Sequence, residues 1–254
     1  MTTIATANAG GSAGKTTTVV ATAALLARAG HEVKVIDLDG QHNCSTILGY
    51  DQPTTPTIGD VLQGRATLDQ ATVPTGIPGL SLVPSTRELD AEALQLSGAI
   101  GGEQRLRQAL EASATPADVT LIDCPGSIGI LTIAALVAAD AVITVATPSI
   151  KEISGIPPLQ QTVLEVATAY NPKLQLAAVI PTVVPSASRG AAYAQALDLL
   201  RETFGDMVSP PVRQAVAVVE AYSHQMPVTE YAPQEGVSAD YRDVLGFLQD
   251  RGVL

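Results

Sequence analysis

Gly10, Gly11 and Gly14, followed at once by Lys15, Thr16 and Thr17, constrain this chain more than any other feature. Residues 3–8 read as a short buried strand, and residues 15–29 are rich in Ala and Leu with no breaker, so the loop joins a strand to a helix. Glycine tolerates positive φ and lets backbone N–H groups approach an anion, while the helix that follows adds the positive end of its dipole. In that setting Gly10, Gly11, Ser12, Ala13, Gly14, Lys15, Thr16 and Thr17 form a phosphate cradle. Lys15 is placed to reach the β- and γ-phosphates and the Thr16 hydroxyl to ligate Mg²⁺. Ala9 stands where the general pattern has its first glycine.

Two further segments carry carboxylates at strand ends. The apolar run 33–38 leads into Asp37, Asp39 and then Gly40-Gln41-His42-Asn43, and the run 119–122 ends in Asp123-Cys124-Pro125-Gly126. A lone Asp at such a place is commonly a cap for the next loop. Three of them at the carboxyl ends of parallel strands face the crevice where α/β sheets bind ligands, beside the phosphate loop, and are better explained by Mg²⁺ and water.

With these motifs the chain resembles the ParA/MinD family of deviant Walker ATPases. Gly14-Lys15-Thr16-Thr17 with the preceding glycine pair is similar to that family's Walker A loop, Asp37-Leu38-Asp39-Gly40-Gln41 to its Walker A′ segment, and 121–126 to its Walker B strand. Pro211-Val212-Arg213-Gln214-Ala215 with Glu220-Ala221, then 226–231, resembles the carboxyl-terminal half of ParA-type partition ATPases. The resemblance implies ATP and Mg²⁺ as cofactors, slow hydrolysis that serves as a timer, Asp39 orienting the attacking water, Asp37 beside the metal and the switch segment, and Asp123 as an outer-sphere metal carboxylate. Such a division suits phosphoryl transfer, in which positioning and charge neutralisation supply most of the catalysis.

One departure stands out. Aligned on Gly14-Lys15, Gly10 occupies the position of the family's signature lysine, which in the family crosses a dimer interface to touch the partner's phosphates. Only four lysines exist, Lys15, Lys34, Lys151 and Lys173. Lys151 follows the buried run 141–146 on the expected ligand edge, and a lysine opening a helix opposes the helix dipole unless an anion offsets it. Lys151 is therefore the expected substitute, with a solvated lysine balanced by Glu152 as the plain alternative. Within the family, loss of the signature lysine resembles the McdA type that positions carboxysomes on the nucleoid, with plasmid or chromosome partition ParA proteins close beside it. The implied partners are a second copy of the chain on ATP binding, an adaptor of ParB-like or McdB-like kind, and nonspecific DNA. A reading of another class is a nonhydrolysing nucleotide-bound scaffold.

Base recognition is assigned by resemblance to Thr182 after one strand and to Pro210, Pro211 and Val212 after the last, although prolines there also end strands and start helices. For DNA, Arg189, Arg213 and Arg242 are the candidates, against a net charge of −11 that repels phosphate. The final helix carries Asp240, Arg242 and Asp243 and lacks the basic amphipathic character expected of a lipid-binding tail. No run of eighteen apolar residues and no basic segment before an apolar one occurs, so no membrane partner is expected and the chain is read as cytoplasmic and nucleoid-associated. Cys44 and Cys124 form no Cys-x-x-Cys pair.

The whole pattern predicts one α/β domain over residues 1–254, a doubly wound, mostly parallel sheet of about eight strands with helices on both faces, of the P-loop type. Strands are expected near 3–8, 33–38, 80–84, 118–123, 140–146 and 176–181, with a short one near 207–209. Helices are expected over 15–29, 86–96, 103–114, 128–138, 151–169, 189–204, 212–222 and 237–251, with a short helical piece at 57–63 in an otherwise turn-rich stretch 52–79.

Overall fold

A computed structural model describes residues 1–8, 14–54, 56–185 and 191–254. Seven strands form one sheet in the order β3-β4-β2-β5-β1-β6-β7, where β1 is Thr2–Thr6, β2 Val33–Asp37, β3 Val73–Pro74, β4 Leu80–Val83, β5 Val119–Asp123, β6 Ala141–Ala146 and β7 Leu176–Pro181. Every pairing is parallel except β3 with β4. The central strands read as continuous apolar runs because both faces are covered. Along β1, Ile4 packs beneath helix Lys15–Arg28 and helix Gly236–Asp250, whereas Ala5 points to the opposite core under helices Ile130–Ala138 and Ile156–Ala169. Alternate residues of β2 and β5 divide in the same way: Val33, Val35, Val119 and Leu121 lie on one side, Ile36 and Ile122 on the other.

Four local expectations change. The helix foreseen over 151–169 is two helices, Ile150–Ile153 and Ile156–Ala169, because Gly155 interrupts and Pro157 and Pro158 fit only the first turn of a new helix. No strand forms near 207–209; a 3₁₀ turn, Gly205–Met207, leads to single parallel bridges, Val179 with Val208 and Val184 with Arg213. Pro210 and Pro211 lie between these bridges and have no N–H to donate to a ladder. The helix foreseen at 212–222 begins only at Val216, since the Val212 and Gln214 amides are spent on the Pro181 and Val184 carbonyls. Short helices Asn43–Ile47 and Val228–Tyr231 and the antiparallel strand β3 were not foreseen, whereas Leu68–Ala71 is a second short helical piece within the stretch 52–79.

Candidate nucleotide site

Strand β1 lies between β5 and β6, and the two connections that leave this region run over opposite faces. Helix Lys15–Arg28 carries the chain from β1 toward β2 on one face, and helix Ile130–Ala138 carries it from β5 to β6 on the other. The divergence opens a crevice at the carboxyl ends of the strands, the usual ligand position in such sheets. There a cleft of roughly 480 Å³ is lined by Gly14, Lys15, Thr16, Thr17, Asp39, Gln41, Asn43, Ile47, Gly126 and Tyr222. Gly10, Gly11, Ser12 and Ala13 lie outside the described residues.

Gly14 ends the loop at φ 105°, a conformation that favours glycine, and a Cβ placed there would come 2.9 Å from Thr182 Oγ1. The close approach brings Thr182, buried at the end of β7, against the start of helix Lys15–Arg28. Lys15 is 94 % buried, with a relative exposure of 6 %. Thr16 Oγ1 donates to Asp123 Oδ2 at 2.7 Å. The other oxygen, Asp123 Oδ1, is buried with no partner among the described residues. An anionic oxygen in that position, beside a threonine hydroxyl, suits a hard divalent cation. Among the described residues no three His, Cys, Asp or Glu side chains gather around a point.

Asp37 and Asp123 are register partners on adjacent strands. Burial raises the pKa of both above the usual carboxylate range, and the Asp37 charge adds to the effect on Asp123, against the opposing pull of the Thr16 hydroxyl and Lys15. Asp37 is fully engaged by protein donors: Oδ2 accepts from the Ser45 amide at 2.8 Å and the Ser45 hydroxyl at 2.7 Å, and Oδ1 from the Asp39 amide at 3.1 Å. Ser45 Oγ in turn accepts from the Ser85 amide at 2.9 Å. Asp37 thus holds helix Asn43–Ile47 and the turn before it, with two donors on Oδ2 and one on Oδ1. Asp39 lines the cleft half-buried, its Oδ1 accepting from the Gln41 amide at 3.0 Å.

The remaining expected residues separate. Lys151 does not line the cleft; it is exposed on helix Ile150–Ile153 and, among the described residues, its ammonium pairs with nothing, Glu152 included. Val212 has its side chain buried in the core, its amide donating to the Pro181 carbonyl and its carbonyl accepting from the Val184 amide. Pro210 and Pro211 flank that pairing toward the surface. Arg213, a candidate for DNA, is exposed but ion-paired. Its Nε and Nη2 donate to Asp240 at 2.6 and 2.7 Å, holding the Asp240 carboxyl below its ordinary pKa against the effect of burial. Arg242 Nη1 donates to the Pro233 carbonyl at 3.1 Å, and Arg189 lies outside the described residues. Sequence reasoning missed Ser45, whose only signal is its spacing of eight from Asp37, and Tyr222, which enters the cleft wall from the far end of the chain.

A family model described as an AAA domain matches residues 1–176. The chromosome partitioning protein ParA of Caulobacter vibrioides is 36% identical over 256 residues, covering 98% of this chain and 95% of that protein. The sporulation initiation inhibitor protein Soj of Bacillus subtilis is 32% identical over 243 residues, covering 95% of each. Among solved structures, an ATP complex of a McdA variant from Cyanothece superposes with a TM-score of 0.88 at 21% identity over 100% of this chain and 97% of that one, a likeness of fold. A cobyrinic acid a,c-diamide synthase from Mycobacterium smegmatis with ADP and magnesium superposes with a TM-score of 0.84 at 28% identity over 99% and 96%. Identity along nearly the full length of a chromosome-partitioning protein, on a fold whose crevice carries phosphate-binding and metal-facing groups, makes this chain a member of the ParA/MinD family of P-loop ATPases.

Proposed function

We propose that this chain is an ATP-driven switch that positions or segregates an intracellular cargo through an adaptor, dimerising around Mg-ATP and releasing its partner on slow, adaptor-stimulated hydrolysis. The observation that carries the reading is the Thr16–Asp123 pair beside Lys15, with one carboxylate oxygen unmatched among the described residues. Lys15 and the loop amides bind the phosphates, Thr16 and Asp123 hold the cation, and Asp39 orients the attacking water from its half-buried place on the cleft wall. Mg²⁺ supplies charge neutralisation on the transferring phosphoryl group. Asp37 contributes by fixing the turn that carries Asp39.

Dimerisation is proposed to depend on Lys151, whose exposed ammonium lacks an internal partner among the described residues, while position 10 is glycine. It serves the phosphates of the second protomer. Thr182, packed against Gly14, and the Pro210-Pro211 turn flank the base. DNA binding is proposed for the ATP dimer alone, on family resemblance. A net charge of −11 and the Arg213–Asp240 clamp leave a weak basic footprint, so binding should fall steeply with salt. The cargo follows the adaptor, ParB-like for a chromosome or plasmid and McdB-like for a carboxysome, and the working location is the nucleoid.

The test compares wild type with Asp39→Ala and Lys151→Ala. Mg-ATP turnover by wild type, an ATP-trapped dimer for Asp39→Ala, and ATP binding without dimers for Lys151→Ala are expected from light scattering and phosphate release. Equal, negligible turnover in wild type and Asp39→Ala would support the nonhydrolysing scaffold instead, and undiminished dimers of Lys151→Ala would reject the role of that lysine.

A further inference from the structure

The wall of the nucleotide cleft opposite the phosphate loop is assembled from two segments far apart in the chain. One is the turn from Asp37 through Asp39 and His42 into helix Asn43–Ile47; the other is helix Val216–Ser223, which contributes Tyr222. They meet in one side-chain hydrogen bond, from the Tyr222 hydroxyl to Asn43 Oδ1 at 3.0 Å. At its inner end the turn is pinned by Ser45 on buried Asp37. Between these anchors His42 sits at φ 44°, in the left-handed region that non-glycine residues seldom enter, and its amide donates to the Asp39 carbonyl at 2.9 Å. A corner of this kind persists only when its surroundings over-determine it. Asp37 supplies one constraint, and Tyr222 supplies the other from outside.

The second anchor is itself held in place. Two residues past helix Val216–Ser223, Gln225 is also left-handed at φ 52°, and the Met226 amide closes back on the Ala221 carbonyl at 3.0 Å. Arg213 upstream is locked to Asp240. A rigid support on one side and a strained turn on the other make a short hydroxyl link able to set the position of Asp39, which lies four residues before Asn43.

We propose that Tyr222 is a positioning residue for hydrolysis: its hydroxyl, by holding Asn43, keeps the Asp39 turn facing the phosphates, so that nucleotide binding and turnover depend on it differently. The proposal rests on the reading of Asp39 given above. It concerns the hydroxyl rather than the ring, which stays in the cleft wall in a phenylalanine variant.

The experiment measures steady-state ATP turnover of the full chain for wild type, Tyr222→Phe, Asn43→Ala and the double variant, with thermal unfolding as a control on folding. Tyr222→Phe is expected to lower kcat about fivefold, the scale of one hydrogen bond, with KM for ATP changed less than twofold. The double variant is expected to lose little more than Asn43→Ala alone, since both single changes cut the same link. Unchanged or raised kcat in Tyr222→Phe, a change confined to KM, or a double variant whose loss is the product of the two single losses would overturn it. A wild-type protein that binds ATP without turnover overturns both this proposal and the function on which it rests; wild-type turnover with an unaffected Tyr222→Phe overturns the positioning role alone.

Discussion

Replacing Asp123 by Asn is expected to stabilise the ligand-free protein while removing its response to Mg-ATP. The side chain is 1 % exposed, faces Asp37 across the β2–β5 register, and leaves one oxygen without a partner among the described residues. Burial, with the Asp37 charge behind it, pushes its carboxyl up to about 8 from 3.8. A group whose folded pKa lies above its unfolded value costs nothing below pH ~4, where both states are protonated; the cost grows as pH rises and is complete above about 8. At ~1.4 kcal/mol per unit, a four-unit displacement sets an upper limit of roughly 5 kcal/mol. Relaxation and water entry reduce that figure, and the new amide must find its own partner at a cost of about 1–3 kcal/mol. A net gain of about 2 kcal/mol remains at pH 8, or ~4–8 °C in the unfolding midpoint for a chain of this size. Thermal unfolding in a chelator without nucleotide, at pH 8 and near pH 4.5, checks it: the gain should be present at the first and shrink at the second. Added Mg-ATP should raise the wild-type midpoint, by about 2.7 kcal/mol at a hundredfold excess over Kd, and leave Asp123→Asn unmoved. A variant less stable than wild type at pH 8, or equally stabilised at both pH values, would refute the electrostatic argument.

Gly14→Ala forces a Cβ to within 2.9 Å of Thr182 Oγ1 on a backbone at φ 105°, a strain of about 1–3 kcal/mol; titration calorimetry should show Mg-ATP binding weakened roughly tenfold or more, and wild-type affinity would reject the contact. Asn8→Ala removes the side-chain amide that donates to the Val145 carbonyl at 2.6 Å and accepts from Thr144 Oγ1 at 2.9 Å, so denaturant unfolding should show a loss of about 2 kcal/mol. Asp69, held down to about 2 by the Ser113 and Thr115 hydroxyls, contributes stability present above pH ~4 and lost as pH falls toward 2. Asp69→Asn should flatten that acid limb by about 1 kcal/mol after allowance for solvent screening, and an unchanged limb would show that the cluster carries no net stability.

Local chemistry was enough to place the helix that opens at Lys15 after β1, the carboxylates at the ends of β2 and β5, and the parallel, doubly wound sheet, because each depends on neighbours within a few residues. A glycine turn between strand and helix, an Asp at a strand end, and an unbroken apolar run all carry their meaning in short windows. The same windows failed where one segment's backbone is claimed by another. Val212 and Gln214 resemble a helix start until Pro181 and Val184 take their hydrogen bonds, and Arg213 reads as an unpaired surface cation until Asp240, twenty-seven residues on, pairs with its still exposed guanidinium.

The parallel, doubly wound frame and the motifs at its strand ends were thus determined by the chain alone, through periodicity and the few residue types that can cradle phosphate. How each carboxylate is engaged was decided only by tertiary structure: Asp37 and Asp123 look alike in sequence, yet the fold brings Ser45 onto one and leaves Oδ1 of the other without a partner among the described residues. Tyr222 joins Asn43 across 179 residues for the same reason, since a hydrogen bond answers to distance in space and no periodicity along a chain encodes it.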